Sequence, residues 1–360
     1  MEELAVSVII PTYNRAPLVT RAIESALAAI APGDEIIVVD DGSTDSTEEA
    51  LAAYGDRIRY VRIPHSGAGA ARNHGMQEAR NPLVAFLDSD DEWMPDKLLL
   101  QRALMKACPD VSWCFSDLAA RKAGERDIPK LVTRKLNRCR RRERADPRLM
   151  PHGFDKLLGP GFSFSSMASL PAGREDFLVY VGDTYPSLME TQYISIITVL
   201  VRRDLAEKAL RFSEDLPVWV DWEGLGRLAR TGPGAYLDCE TAWLWRHGGA
   251  RLTDANALIR ATTIIRVLER VWGTDPVFLA QHEDRLRAKL CALHLQKARS
   301  LMRQGQMQQA RQELRLAGDG RLLRRLLATL PGPFVRGVLG IYDRLKRALI
   351  RLERKRIRQN

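Results

Sequence analysis

"PLVAFLDSDDEW" (residues 82–93) runs from a short apolar stretch straight into Asp88, Asp90, Asp91 and Glu92. Its first seven residues read as a buried strand, too short and too β-prone for a helix. The four carboxylates that follow occupy only five positions. Crowded like charges at the end of a buried strand repel one another and are costly to desolvate. They become favourable around a hard divalent cation, which takes oxygen ligands, with a diphosphate supplying the remainder. The alternative is a solvated acidic loop that leads into a helix opened by Pro95.

That strand is one of a series. "VSVIIP" (6–11), "EIIVVD" (35–40), "RIRYVRI" (57–63), "PLVAFLD" (82–88) and "VSWCFSD" (111–117) read as strands. Helical segments separate them: 16–30, 43–54, 67–80 and 95–107. Continuous apolar strands alternating with helices predict an α/β domain with a mostly parallel sheet covered on both faces. In such sheets ligands bind beyond the carboxyl ends of the strands. Asp40, Asp41, Asp88, Asp90 and Asp91 all fall at such ends.

The neighbouring motifs suit a nucleotide. In "VVDDGSTD" (38–45) a paired Asp at a strand end can accept hydrogen bonds from a nucleobase or ribose; Ser43 and Asp45 equally suit turn and cap chemistry. "PTYNR" (11–15) offers Tyr13 for stacking on a base and Asn14 as a helix cap. "GAGAARNHG" (67–75) places Arg72 on a helix entered through glycines, and both a helix N-terminus and an arginine favour phosphate. The spacing is not that of a P-loop. His74 reads as a helix-surface residue.

Taken together, "VSVIIPTYNR", "EIIVVDDGSTDST", "GAGAARNHGMQEA" and "VAFLDSDDEWMPDKL" resemble family 2 glycosyltransferases, across about residues 5–118. The resemblance implies a GT-A fold that binds a nucleotide-diphosphate sugar. It implies nucleotide contacts at Pro11, Tyr13, Asp41 and Arg72, and an Asp-x-Asp motif at Asp88, Ser89 and Asp90. Asp88 then belongs to the nucleotide, and Asp90 with Asp91 to Mn²⁺ or Mg²⁺. Further on, "LRFSEDLPVWVDWEGLGRLAR" (210–230) puts Asp221 at the position of the catalytic base. The family's preceding Glu is Val220 here, a departure that keeps Asp215 and Glu223 as alternatives. "AWLWRHGG" (242–249) is similar to a late basic element beside the donor phosphates, implying Arg246 and His247 at the leaving group. Trp243 and Trp245 alternate within it, and one of them is expected in the core.

Charge separates the rest of the chain. The protein has 360 residues and a formal net charge of +10. Residues 303–360 carry 15 Lys/Arg against 4 Asp/Glu, and residues 121–148 carry 12 against 4. The remaining body is acidic, which argues against a nucleic-acid binder. Five cysteines without CxxC spacing suit a reduced compartment and neither a zinc site nor a disulfide framework. The N-terminus lacks a signal-peptide pattern, and no apolar run approaches membrane-spanning length.

The expected organisation is a transferase domain over 1–250, a helical extension over 251–332 and a basic amphipathic helix over 333–360. Within the first, 119–190 is a basic and Gly/Pro/Ser-rich insertion on the acceptor side, long and partly mobile over 119–180. The last helix can lie on an anionic membrane surface, or pack on its own domain or a partner subunit. The whole reading is a cytoplasmic enzyme, peripheral at the inner face of the membrane. It moves a sugar from a UDP-sugar or similar donor to a saccharide or lipid-linked acceptor with inversion. The rival readings are a sugar nucleotidyltransferase and a non-catalytic membrane-surface protein on a degenerate transferase core.

Overall fold

The computed structural model describes residues 4–141, 146, 149–151, 153–246 and 255–318. The chain divides into two compact units, Met1–Ala250 and Arg251–Asn360.

The first unit opens with the alternation the apolar runs dictate. Its elements are β1 (Val6–Thr12), α1 (Ala16–Leu27), β2 (Glu35–Asp40), α2 (Thr47–Ala52), β3 (Arg59–Arg62), α3 (Ala68–Glu78) and β4 (Leu83–Phe86). A two-residue β5 (Glu92–Trp93), α4 (Lys97–Ala107) and β6 (Trp113–Arg121) follow. Next come α5 (Leu131–Arg141), α6 (Phe154–Leu158), β7 (Phe162–Ser163), β8 (Leu178–Gly182) and α7 (Tyr185–Glu190). The unit closes with β9 (Leu200–Arg202), α8 (Arg203–Ala209), α9 (Val220–Arg230) and β10 (Gly234–Trp245).

One sheet holds them in the order β3-β2-β1-β4-β9-β6-β10-β8-β7, with β5 pairing to β10. β1, β2, β3 and β4 are mutually parallel. The short antiparallel β9 sits between β4 and β6 and so returns β6 and β10 to the direction of the first four. Every residue of β1 is buried, as expected of a strand covered on both faces. α3 lies so close to the sheet that a Cβ on Gly75 would stand 2.4 Å from Ile9 Cγ2. This glycine serves helix-on-sheet contact.

Two expectations change. Within 119–190, read as an insertion outside the alternating pattern, the described residues include parts of the sheet: β6 runs on to Arg121, and β7 and β8 extend the sheet beyond β10. The strand expected over 194–203 shrinks to β9 behind a single 3₁₀ turn, Ile196–Thr198. Trp93 explains that turn, since its indole N–H donates to Ile197 O at 2.8 Å.

In the second unit α10 (Ala257–Val271), α11 (Pro276–Arg303) and α12 (Met307–Leu316) follow one another. Asn256 and Asp275 cap the first two, each accepting from two backbone N–H groups. Leu301, Met302 and Ala310 form the core of the hairpin between α11 and α12, with Leu258, Met307 and Leu314 packed on it. Glu313 of α12 meets His294 and Lys297 of α11, each at 2.7 Å. Among the described residues no helix is long and apolar enough to cross a membrane. The basic helix expected over 333–360 lies outside the described residues.

Lys97 is an unusual core residue. It is fully buried, its ammonium 4.7 Å from the Trp93 ring centre and donating to Gln101 Oε1. Burial pulls its pKa down to about 7. The unfolded chain therefore holds a proton that the folded chain lacks between about pH 7 and the ordinary lysine value. Stability rises with pH across that window. Lys97→Met is expected to gain on the order of 1–3 kcal/mol at pH 7 and to flatten the slope. Urea unfolding at pH 6.5, 7.5 and 9 checks this; an unchanged slope would refute it.

Candidate active site

The acidic loop after β4 is largely neutralised from within the protein. Arg72 donates to Asp88 Oδ1 at 2.6 Å. Arg21 forms an ion pair with Glu92 and donates to the Asp90 carbonyl at 3.3 Å. Asp91 is buried and its Oδ1 accepts from the Trp245 backbone N–H at 2.9 Å, tying β10 to the loop. Among the described residues no three His, Cys, Asp or Glu side chains gather as a cation site. The expected tetrad around one cation is thus spread over separate partners.

Crowding at the β2 end is resolved in the same way. Asp40 accepts from Ser43 N and the Tyr60 hydroxyl, both at 2.8 Å. Asp41 accepts from Ser66 N at 2.7 Å and Gly67 N at 2.8 Å, and its Oδ2 lies 2.9 Å from His65 Nδ1. Gly67 has φ +93°, a conformation glycine tolerates at no steric cost, and it leads directly into α3. Asp41 therefore ties down the entrance of α3. Tyr13, exposed beside it, stacks on His65 with ring centres 4.0 Å apart. Pro11 is buried in β1 opposite Val39. Asn14 does not cap α1: in a left-handed conformation (φ 51°) it accepts from Thr44 N at 2.7 Å, joining the loops after β1 and β2.

Asp221 comes to the same end of the sheet through a long-range clamp. Asn73 on α3 donates to Phe212 O at 2.8 Å and accepts from Phe212 N at 2.9 Å. A Cβ on Gly69 would stand 3.2 Å from Ser213 O. The chain before α9 is thereby stitched to α3, and Asp221 lies in the first turn of α9. Trp219 just before it has φ 55°, a strained conformation for so bulky a residue. Half-buried Asp221 has its carboxyl pKa raised, first by burial and then by Asp88; Arg72, Lys135 and a hydrogen bond from Gln192 to Oδ2 oppose the rise. Arg72 is buried yet held firmly protonated: burial works against its charge, but Asp88, Asp221 and Asp90 together outweigh it.

The two alternatives to Asp221 are differently employed. Glu223 is buried and bonded by Arg227 at 2.6 Å, while Asp215 is exposed on the loop before α9. Arg246 is exposed at the end of β10, its backbone N–H donating to Arg121 O at 2.7 Å and its charge reaching Glu125. His247 lies outside the described residues. Trp243 and Trp245 share one face rather than dividing between core and surface. The Arg121 guanidinium lies 3.6 Å from the first ring centre and 5.9 Å from the second, with Arg21 4.0 Å from Trp245. Sequence reasoning missed Gln192, Lys135 and His65. Only His65 had a visible signal, its place directly before "SGAGAARN".

A twisted, mostly parallel α/β sheet with carboxylates and an arginine at its carboxyl edge defines the GT-A class. The structure of Staphylococcus aureus TarS 1–349 with UDP-GlcNAc superposes with a TM-score of 0.57, at 16% identity, covering 87% of this chain and 81% of that one. Residues 7–159 match the glycosyl transferase family 2 model. Residues 7–159 thus match family 2 glycosyltransferases, and the fold is GT-A. A putative teichuronic acid biosynthesis glycosyltransferase, TuaG of Bacillus subtilis, is 43% identical over 104 residues, 28% of this chain and 41% of that protein. An uncharacterized glycosyltransferase of Rickettsia felis is 38% identical over 128 residues, 35% of this chain and 21% of its own. The chain thus spans less than half the length of these curated relatives.

Asn73→Ala removes both partners of the Phe212 backbone. It is expected to cost about 1–3 kcal/mol and to raise hydrogen exchange around residues 210–216 selectively. Exchange mass spectrometry reads both; uniform protection across that segment would contradict the clamp.

Proposed function

We propose that this chain transfers a sugar from a nucleotide-diphosphate donor, a UDP-sugar, to a hydroxyl of a saccharide or lipid-linked acceptor, inverting the anomeric carbon. The observation that carries the reading is the 2.6 Å ion pair between Arg72 of α3 and Asp88 of the β4 loop, with Asp90 and Asp221 of α9 acting on the same guanidinium. The relative named for teichuronic acid biosynthesis supports an acceptor in polysaccharide synthesis.

Asp221 acts as the general base. Its Oδ2 is held by Gln192, which leaves Oδ1 to take the acceptor proton as that oxygen attacks the sugar. A raised pKa makes it a better proton acceptor than an exposed Asp. Arg72 is permanently charged and sits where negative charge grows on the departing diphosphate. Tyr13, with Asp41 behind it organising the His65–Gly67 turn, offers the nucleobase a stacking edge. The residues present fit a guest Mn²⁺ or Mg²⁺ of the kind held by one or two carboxylates and otherwise by substrate phosphates. Asp90 and Asp91 would hold it, and when bound it would neutralise diphosphate charge. Arg246 is assigned no part in the step.

Two measurements test this. Asp221→Asn should cut transfer by about 10²–10⁴-fold while a nucleoside diphosphate still binds with unchanged affinity. Full activity in that variant, or no turnover by the unaltered chain with any UDP-, GDP- or dTDP-sugar, would defeat the reading. Gln192→Ala removes a hydrogen bond that favours ionised Asp221, so its pKa should rise further. The base works deprotonated; the acid limb of the kcat profile should therefore move to higher pH. A profile that stays in place or moves to lower pH would rule out Asp221 as the group titrating.

A further inference from the structure

Two contacts that a nucleobase could use at the ends of β1 and β2 are already taken within the protein. The first is a face of the Tyr13 ring. Tyr13 is 39% exposed, and the imidazole of His65 lies against it, nearly parallel at 17° with ring centres 4.0 Å apart. A flat guest between the two rings would need about 7 Å, twice the contact distance of two carbon atoms. The stack is therefore closed.

The second contact is the buried carboxylate of Asp41. His65 Nδ1 lies 2.9 Å from Asp41 Oδ2 and 3.1 Å from the Asp41 carbonyl oxygen. Both neighbours are acceptors, so Nδ1 carries the proton and donates. The imidazole thus lays a flat ring on Tyr13 and directs a ring N–H at Asp41. A base stacked on Tyr13 and bonded to Asp41 would do the same.

Backbone and side chain of His65 are held differently. The next two backbone N–H groups, of Ser66 and Gly67, are fixed on Asp41 at 2.7 and 2.8 Å. A Cβ on Gly42 would stand 3.0 Å from His65 N, so the turn after β2 presses on the same backbone. The His65 side chain, by contrast, is 56% exposed. Among the described residues its ring makes no hydrogen bond, ion pair or ring contact beyond Tyr13 and Asp41. Rotation of this one side chain, with the backbone in place, frees both the Tyr13 face and a lone pair of Asp41.

We propose that His65 is an internal occupant of the nucleobase position, and that an incoming nucleoside diphosphate must displace its imidazole from Tyr13 and Asp41 in order to bind. The inference rests on the transferase reading and adds a determinant of donor affinity to it. His65 competes with the donor's base and takes no part in the transfer step. Each contact it gives up is weak, an exposed stack and a largely exposed pair, so a base that covers more of Tyr13 can replace it.

The test uses the full chain with Mn²⁺ and the tightest binder among UDP, GDP and dTDP, titrated by calorimetry. His65→Ala should bind that nucleotide about three- to ten-fold more tightly. His65→Phe keeps a ring for Tyr13 and loses the N–H, so it should fall between His65→Ala and the unaltered chain. Inorganic pyrophosphate has no base, and its affinity, or lack of it, should be the same in all three chains. In proton NMR of the unaltered chain, the His65 ring signals are those missing from His65→Ala. They should move when the nucleotide is added and stay in place with pyrophosphate. Weaker or unchanged nucleotide binding by His65→Ala overturns the inference, as do His65 signals that the nucleotide leaves in place. A gain for pyrophosphate equal to that for the nucleotide also overturns it. If no nucleotide binds any of the three chains, the transferase reading fails and takes this one with it; if the unaltered chain binds and His65→Ala binds no tighter, this inference alone fails.

Discussion

The site depends on one buried cation. Arg72 sits on α3 with almost no exposure, donating to Asp88 and lying within the fields of Asp90 and Asp221. Without a positive charge there, three carboxylates at one sheet edge would repel and draw protons. With it they stay close together, and one, Asp221, keeps a raised pKa through burial. Placing that cation is the work of glycines and an amide rather than of other charges. Gly75 lets α3 settle on β1, Gly67 turns the chain into the helix, and Asn73 joins the helix to the segment before α9.

The parallel half of the fold was legible because its strands are covered on both faces and so read as unbroken apolar runs. Val6–Thr12, Glu35–Asp40 and Leu83–Phe86 fall where those runs predict. Where pairing rather than pattern decides, reading failed. β9 keeps three residues of an expected ten because Trp93 diverts the preceding turn. β7 and β8 carry no clear alternation, yet they add to an edge that β10 provides. The reading of 119–190 as an insertion came from its composition, which cannot reveal that Asp117, in the middle of a strand, would anchor the first turn of α5.

The acidic loop shows the same limit at the level of the site. Its position at a strand end was evident, and so was its charge. What could not be seen is that Arg21, Arg72 and the Trp245 N–H arrive from residues 21, 72 and 245 to meet it. A cluster that looks, along the chain, like a ready-made cation cage is in space a junction of α1, α3 and β10.

The carboxyl edge of the sheet is thus assembled from two stretches of chain. Tyr13, Asp41, Arg72 and Asp88 lie within residues 7–159, Arg72 on α3 and the others at or just beyond strand ends. Asp221 on α9 and Gln192, in the loop after α7, come from beyond that segment. The carboxylate kept basic by burial is therefore positioned by contacts that cross the chain, Asn73 to Phe212 and Gln192 to Asp221, and not by the strand-end motifs themselves.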